Sequence, residues 1–221
     1  MKIETIKKIV RIILIGSALY FLNSRESIAP EGKDRLKDPR KVVVLDPGHG
    51  MSNKEIGEMD WGDATYKDYR EADLVLKQAK KIKEMLDPRY YNVILTRETN
   101  EESTPVSYRP EFANKVDADF FISLHINDYH KRSDIRGFEI YYTEDKSKDF
   151  AELAAKNLEE MTSIPKRKVK QESYLMLKEG PSPAILVESG YLRNRKDRGC
   201  VLDTNSNIEK AIVKSIEEYL K

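Results

Sequence analysis

Short uninterrupted apolar runs alternate along the chain with longer stretches in which apolar residues recur every three or four positions. Residues 42–45, 93–95, 120–124, 137–142 and 184–187 are of the first kind and predict strands, most of them buried on both faces. Residues 69–86, 108–116, 149–161 and 205–220 are of the second kind and predict helices. In the first of these, Leu76, Ala79, Ile82 and Leu86 share one face and lysines occupy the other. Short strands alternating with helices imply βαβ units, hence an α/β fold: a single domain with a mostly parallel central sheet flanked by helices on both faces. In such sheets ligands bind beyond the carboxyl ends of the strands, so residues just after the strands should carry any chemistry.

Ahead of the first strand the pattern changes. Lys2, Lys7, Lys8 and Arg11 precede an uncharged stretch from Ile12 to Leu22, a basic segment followed by an apolar one, as at the start of exported chains. Residues 9–22 would make about 21 Å of helix at ~1.5 Å per residue, short of a ~30 Å hydrocarbon core. The segment therefore reads as a cleaved signal peptide or as a retained anchor with Lys8 and Arg11 snorkelling to the headgroups. Ser27-Ile28-Ala29 fits a small-x-small cleavage site, with Pro30 directly after it. The expected organisation is a signal or anchor over 1–29, a polar linker over 30–40 and a folded domain over 41–221, placed outside the cytoplasm as a secreted, periplasmic or membrane-anchored protein. Lys plus Arg number 39 against 38 Asp plus Glu, a balance that excludes the basic footprint of a dedicated nucleic-acid binder. Cys200 is the only cysteine, so no intrachain disulfide staples the fold.

Two of the three histidines stand at strand ends: His49 in Asp46-Pro47-Gly48-His49-Gly50, and His125 in Ser123-Leu124-His125-Ile126-Asn127. Imidazole is the commonest side-chain metal ligand, and hydrolytic zinc sites hold the ion with three protein ligands, leaving a fourth position open. Glu71, at the start of the first helix, is the best-placed third ligand. Glu55, Glu58, Asp60, Asp63 and Asp68 are its rivals, and an acidic first turn also simply complements the helix dipole. Glu188 ends the apolar run PAILVES; a carboxylate there needs a cation, a proton or water, and beside a hydrolytic metal it fits a general base. Lys166, Arg167, Lys168 and Lys170 read as a solvated connection, and His130 as a solvated loop residue.

LDPGHG at 45–50, YREADLVLKQAKKI at 69–82, ILTRET at 94–99, Arg109 with Ala113-Asn114, DADFFISLHIN at 117–127, GFEIYY at 137–142 and ILVESGYLRN at 185–194 occur in order along the chain. Together they resemble the zinc-dependent N-acetylmuramoyl-L-alanine amidases, the type 3 amidase group that includes septal and spore-cortex enzymes. The resemblance implies one zinc per chain held by His49, Glu71 and His125, with Glu188 as catalytic base. It also implies cleavage, in peptidoglycan, of the amide between N-acetylmuramic acid and the L-alanine of the stem peptide. Asn127, Trp61 and Arg109 are candidate substrate contacts, Tyr174 a candidate groove residue, and an activator protein a candidate partner. The chain departs from the pattern at Met51, where a second glycine is usual, at Ile126, where a small residue is usual, and across the loop 51–68. Two other readings of the same residues are a catalytically weak or partner-dependent metal-binding envelope module and a zinc peptidase acting on non-wall peptides.

Overall fold

A computed structural model describes residues 38–54, 57–203 and 207–220; the basic and apolar N-terminal segment, and with it the signal-or-anchor expectation, lies outside the described residues. Six strands form the central sheet: β1 (Lys41–Pro47), β6 (Tyr91–Leu95), β7 (Phe120–Asn127), β8 (Phe138–Tyr142), β9 (Lys166–Gln171) and β10 (Ala184–Tyr191). Their order is β6-β1-β7-β10-β8-β9. The first four run parallel, β8 pairs antiparallel with β10, and β9 pairs parallel with β8. Between β1 and the first helix lie two small hairpins, β2 (Gly50–Asn53) with β3 (Glu58–Asp60) and β4 (Thr65–Tyr66) with β5 (Tyr69–Arg70). The helices are α1 (Glu71–Met85), α2 (Tyr108–Lys115), α3 (Asp145–Met161), α4 (Leu175–Lys178), α5 (Arg195–Leu202) and α6 (Asn207–Tyr219).

Side-chain alternation along the strands divides the sheet into two faces of different character. On one face Val43 and Leu45 of β1, Phe120, Ile122 and Leu124 of β7, Ile185 and Val187 of β10 and Phe138 and Ile140 of β8 meet Val75, Ala79 and Ile82 of α1, Phe150 and Ala154 of α3 and Ile212 and Ile216 of α6 in one buried cluster. Each such side chain contributes roughly 1.5–3 kcal/mol by leaving water, so this face carries most of the stability. The residues between them, Asp46, Ser123, His125, Glu188, Glu139 and Tyr141, point to the other face. There α2 packs on α4 and α4 on β10. The chemistry is therefore segregated from the main core by strand periodicity alone.

The structure corrects one expectation outright. The basic segment 166–170 is not a solvated connection but the edge strand β9. Its only apolar residue, Val169, gives no period-two signal, and the strand is held by backbone pairing to β8 rather than by buried side chains. β10 also runs past its expected end at 187 to Tyr191, which places Glu188 within the strand.

Candidate metal centre

Three elements converge at the carboxyl end of the sheet. His49 follows β1 in the turn Gly48-His49-Gly50, with its own φ at 64° in the left-handed region that non-glycine residues rarely occupy. Two buried arginines hold that turn. Arg109 donates through Nη1 to Asp46 Oδ1 (2.7 Å) and the Pro47 carbonyl (3.0 Å), and through Nη2 to the His49 carbonyl (2.6 Å). Arg97, fully buried, donates to the carbonyls of Pro47 (2.9 Å), Gly48 (2.7 Å) and Ala72 (2.9 Å). Asp46 itself is 0% exposed. Burial alone would raise its pKa, but the Arg109 guanidinium and the hydroxyls of Thr96 and Ser123 hold it below the usual carboxylate range.

Glu71 is the first residue of α1. The helix has no capping side chain; its opening amides donate to the loop carbonyls of Ala64 (3.0 Å) and Trp61 (3.1 Å). Because helical side chains lean toward the N-terminus, Glu71 reaches back over the strand ends. Its Oε1 accepts from the Ile126 amide (3.0 Å) and its Oε2 from the Ala64 amide (3.2 Å). Glu71 Oε1 lies 3.0 Å from His49 Nε2 and 3.1 Å from His125 Nδ1, and the two ring nitrogens are 3.2 Å apart. Donors held ~2.0–2.1 Å from a tetrahedral zinc ion stand about 3.3 Å from one another, so this triangle has the dimensions of one face of a tetrahedral shell.

The surroundings fit a cation as well. Glu71 is buried, which raises its pKa, yet the His125 and His49 rings bring it down to about 2, so the carboxylate stays ionised. Burial lowers the pKa of His49, but Glu71 and Asp60 outweigh it and raise the ring to about 9. Asp60 Oδ2 meets His49 Nδ1 at 2.8 Å, the outer carboxylate that fixes ring orientation in histidine metal sites. His125 Nε2 is buried without a hydrogen-bond partner among the described residues. A two-imidazole, one-carboxylate donor set of this size is the one a divalent transition metal takes, zinc foremost.

Glu188 sits one strand over, opposite His125 in the β7–β10 register. Its Oε2 is enclosed and has no hydrogen-bond partner among the described residues, and burial, then the charges of Glu71 and Glu139, push its carboxyl up to about 8.

Other expected residues fall differently. Asp60 touches His49 rather than joining the donor triangle; Glu58, Asp63 and Asp68 are exposed, and Glu55 lies outside the described residues. Arg109 is 4% exposed, and its described hydrogen bonds run to Asp46, Pro47, His49 and Thr104, a positioning role. Trp61 is partly exposed under the Arg70 guanidinium, 4.1 Å from the ring centroid, and Asn127 is partly buried at the end of β7. Sequence reasoning misses Glu139, buried in β8, although a carboxylate inside the apolar run GFEIYY is the same kind of signal that marks Glu188.

Gly48 shows how tightly the turn is built. A Cβ there would overlap the His125 ring at Cε1. Gly48→Ala is therefore expected to displace the His125 ring and weaken metal affinity ~10–100-fold, measured by competition with a chromophoric chelator.

An α/β sheet with a metal-type donor triangle at its strand ends, and a separate enclosed carboxylate beside it, defines a metallohydrolase. Residues 43–218 match the N-acetylmuramoyl-L-alanine amidase family, and the chain belongs to it. It is 30% identical over 200 residues to the probable cell wall amidase LytH of Staphylococcus saprophyticus, a match covering 90% of this chain and 64% of that relative. The chain thus spans somewhat under two thirds of that relative's length. The catalytic domain of the amidase CwlV from Bacillus (Paenibacillus) polymyxa var. colistinus superposes with a TM-score of 0.72 at 30% identity, covering 81% of this chain and 98% of that one. The CwlD amidase of Clostridioides difficile, solved in complex with the GerS lipoprotein, superposes with a TM-score of 0.70 at 26% identity, covering 82% and 98%.

Proposed function

We propose that this chain is a zinc-dependent peptidoglycan amidase acting outside the cytoplasm. It cleaves the amide between the lactyl group of N-acetylmuramic acid and the L-alanine of the stem peptide. The observation that carries the reading is the donor triangle of His49, Glu71 and His125, with separations of 3.0–3.2 Å, beside the enclosed Oε2 of Glu188. His49, Glu71 and His125 hold the ion, which when bound polarises the scissile carbonyl and makes water nucleophilic near neutral pH. Asp60 keeps the His49 ring turned so that Nε2 faces the site. Glu188 accepts a proton from the attacking water and returns it to the leaving amine of L-alanine. A carboxyl pushed up to about 8 by burial makes its ionised form a stronger base toward that water than a solvated carboxylate would be. Arg109 and Arg97 keep the His49 turn fixed through the cycle.

Residues 1–29 are proposed as the export signal or anchor, residues 9–22 as its apolar part, and 30–40 as the linker. An accessory protein is a proposed partner, since a relative is solved with a lipoprotein. Digestion of purified peptidoglycan tests the activity: new free L-alanine N-termini, with intact glycan reducing ends unchanged in number, are expected. Release of other N-termini alone would favour a peptidase.

A further inference from the structure

We infer that the strip of β8 and β9 beside Glu188 is a carboxylate-reading subsite, in which Arg167 and Lys168 bind a free carboxylate on the peptide side of the substrate. The inference rests on the amidase reading above and adds which substrate that site prefers. The sheet register sets Glu188 of β10 opposite Glu139 of β8, and Glu139 opposite Lys168 of β9. Period-two alternation turns Lys168 to the same side as Glu139 and Glu188, away from α1, α3 and α6.

Glu139 organises the strip. It is 1% exposed, accepts from the Tyr191 hydroxyl (2.8 Å) and from the Tyr141 hydroxyl, and forms ion pairs with Arg167 (Nε at 2.8 Å) and Lys168 (Nζ at 3.1 Å). One buried carboxylate thus faces two cations, a surplus of one positive charge. A guanidinium has five N–H donors and an ammonium three, more than a single carboxylate can use. Both side chains keep an open side, with Arg167 44% and Lys168 41% exposed. They are also preset over aromatic rings, Lys168 5.3 Å from the Tyr141 centroid and Arg167 5.7 Å from that of Tyr191, which lowers the cost of ordering them around a ligand. Tyr174, 40% exposed and edge-on to Tyr141 at 5.3 Å, provides an apolar wall. Lys170 is paired with Glu172 and adds no net charge.

Distance assigns the ligand to the same substrate molecule. Two strand spacings separate Glu188 from Lys168, about 10 Å, and an extended peptide advances ~3.3 Å per residue. A carboxylate on the second or third residue of the stem peptide therefore reaches the pair while the first residue's amide is at Glu188. A carboxamide at that position offers no charge for the surplus cation.

The test compares kcat/KM for muramyl peptides, in pairs that differ only in a free carboxylate or a carboxamide on the second residue, and likewise on the third. The enzymes are the full chain, Lys168→Ala and Arg167→Ala. In one pair the carboxylate form is expected to be cleaved roughly tenfold more efficiently by the unsubstituted chain, chiefly through KM, with the ratio falling toward one in either variant. Lys168→Glu should invert the preference. Equal cleavage within both pairs, or a preference that survives every substitution, overturns the subsite and leaves the amidase reading standing. Failure of the unsubstituted chain to cleave any of the peptides overturns the amidase reading and the subsite with it.

Discussion

Glu188→Gln is expected to lower kcat on peptidoglycan by roughly 10²–10⁴-fold while the protein keeps its metal and its fold. The substitution preserves volume and removes the only feature the mechanism needs there, a basic oxygen. The physical case rests on the site's asymmetry. Glu71 and Glu188 are both removed from water, but Glu71 is flanked by two imidazoles and brought down to about 2, whereas Glu188 has an enclosed oxygen with no hydrogen-bond partner among the described residues and is pushed up to about 8. One carboxylate is thus built to remain an anion under a cation, the other to exchange a proton near neutral pH. A neutral amide needs no proton uptake on folding, which a carboxyl raised to about 8 does near neutral pH, so the melting temperature should hold or rise. A Glu188→Gln variant within tenfold of the unsubstituted rate would remove Glu188 from the mechanism.

The second large effect belongs to a residue that touches no metal. Arg109→Ala leaves Asp46, 0% exposed and 2.7 Å from the guanidinium, as a buried carboxylate without its cation. Breaking one side of such a pair costs about 3–5 kcal/mol, or a fall of roughly 6–20 °C in melting temperature for a domain of this size. The same change releases the His49 carbonyl, so metal affinity should fall with stability. Removing both partners, as Asp46→Asn with Arg109→Met, should recover part of the loss, because the penalty lies in the orphaned charge rather than in the missing pair. Calorimetric melting of the single and double variants distinguishes this from an exposed ion pair, for which the single substitution would cost under about 1 kcal/mol.

The parallel half of the sheet is legible because β1, β7 and β10 are buried on both faces and so read as continuous apolar runs, and α1 is legible because its lysines and aliphatics divide cleanly. The edge is not. β9 alternates no apolar residues, and its charges report salt bridges to Glu139, a partner some thirty residues earlier that no local pattern reveals. The hairpins β2–β3 and β4–β5 are two to four residues per strand, too short for periodicity, yet they deliver Asp60 to His49. His49, His125 and Glu188 can be found because a polar residue directly after an apolar run needs an explanation. Choosing Glu71 over Asp60 requires the reach of a helical side chain toward its own N-terminus, which spacing alone does not give. Arg97 and Arg109 become intelligible only once the carbonyls they hold, in the turn 47–49, are placed in space.

The central claim is that His49, Glu71 and His125 form one hydrolytic zinc site. Metal content of the purified full chain, measured by plasma mass spectrometry beside Glu71→Ala and His125→Ala, tests it most directly. One zinc per chain, lost in both variants, is the expected result. A full equivalent of zinc retained in both variants, or a folded unsubstituted chain that takes up no zinc when it is supplied, would contradict the account.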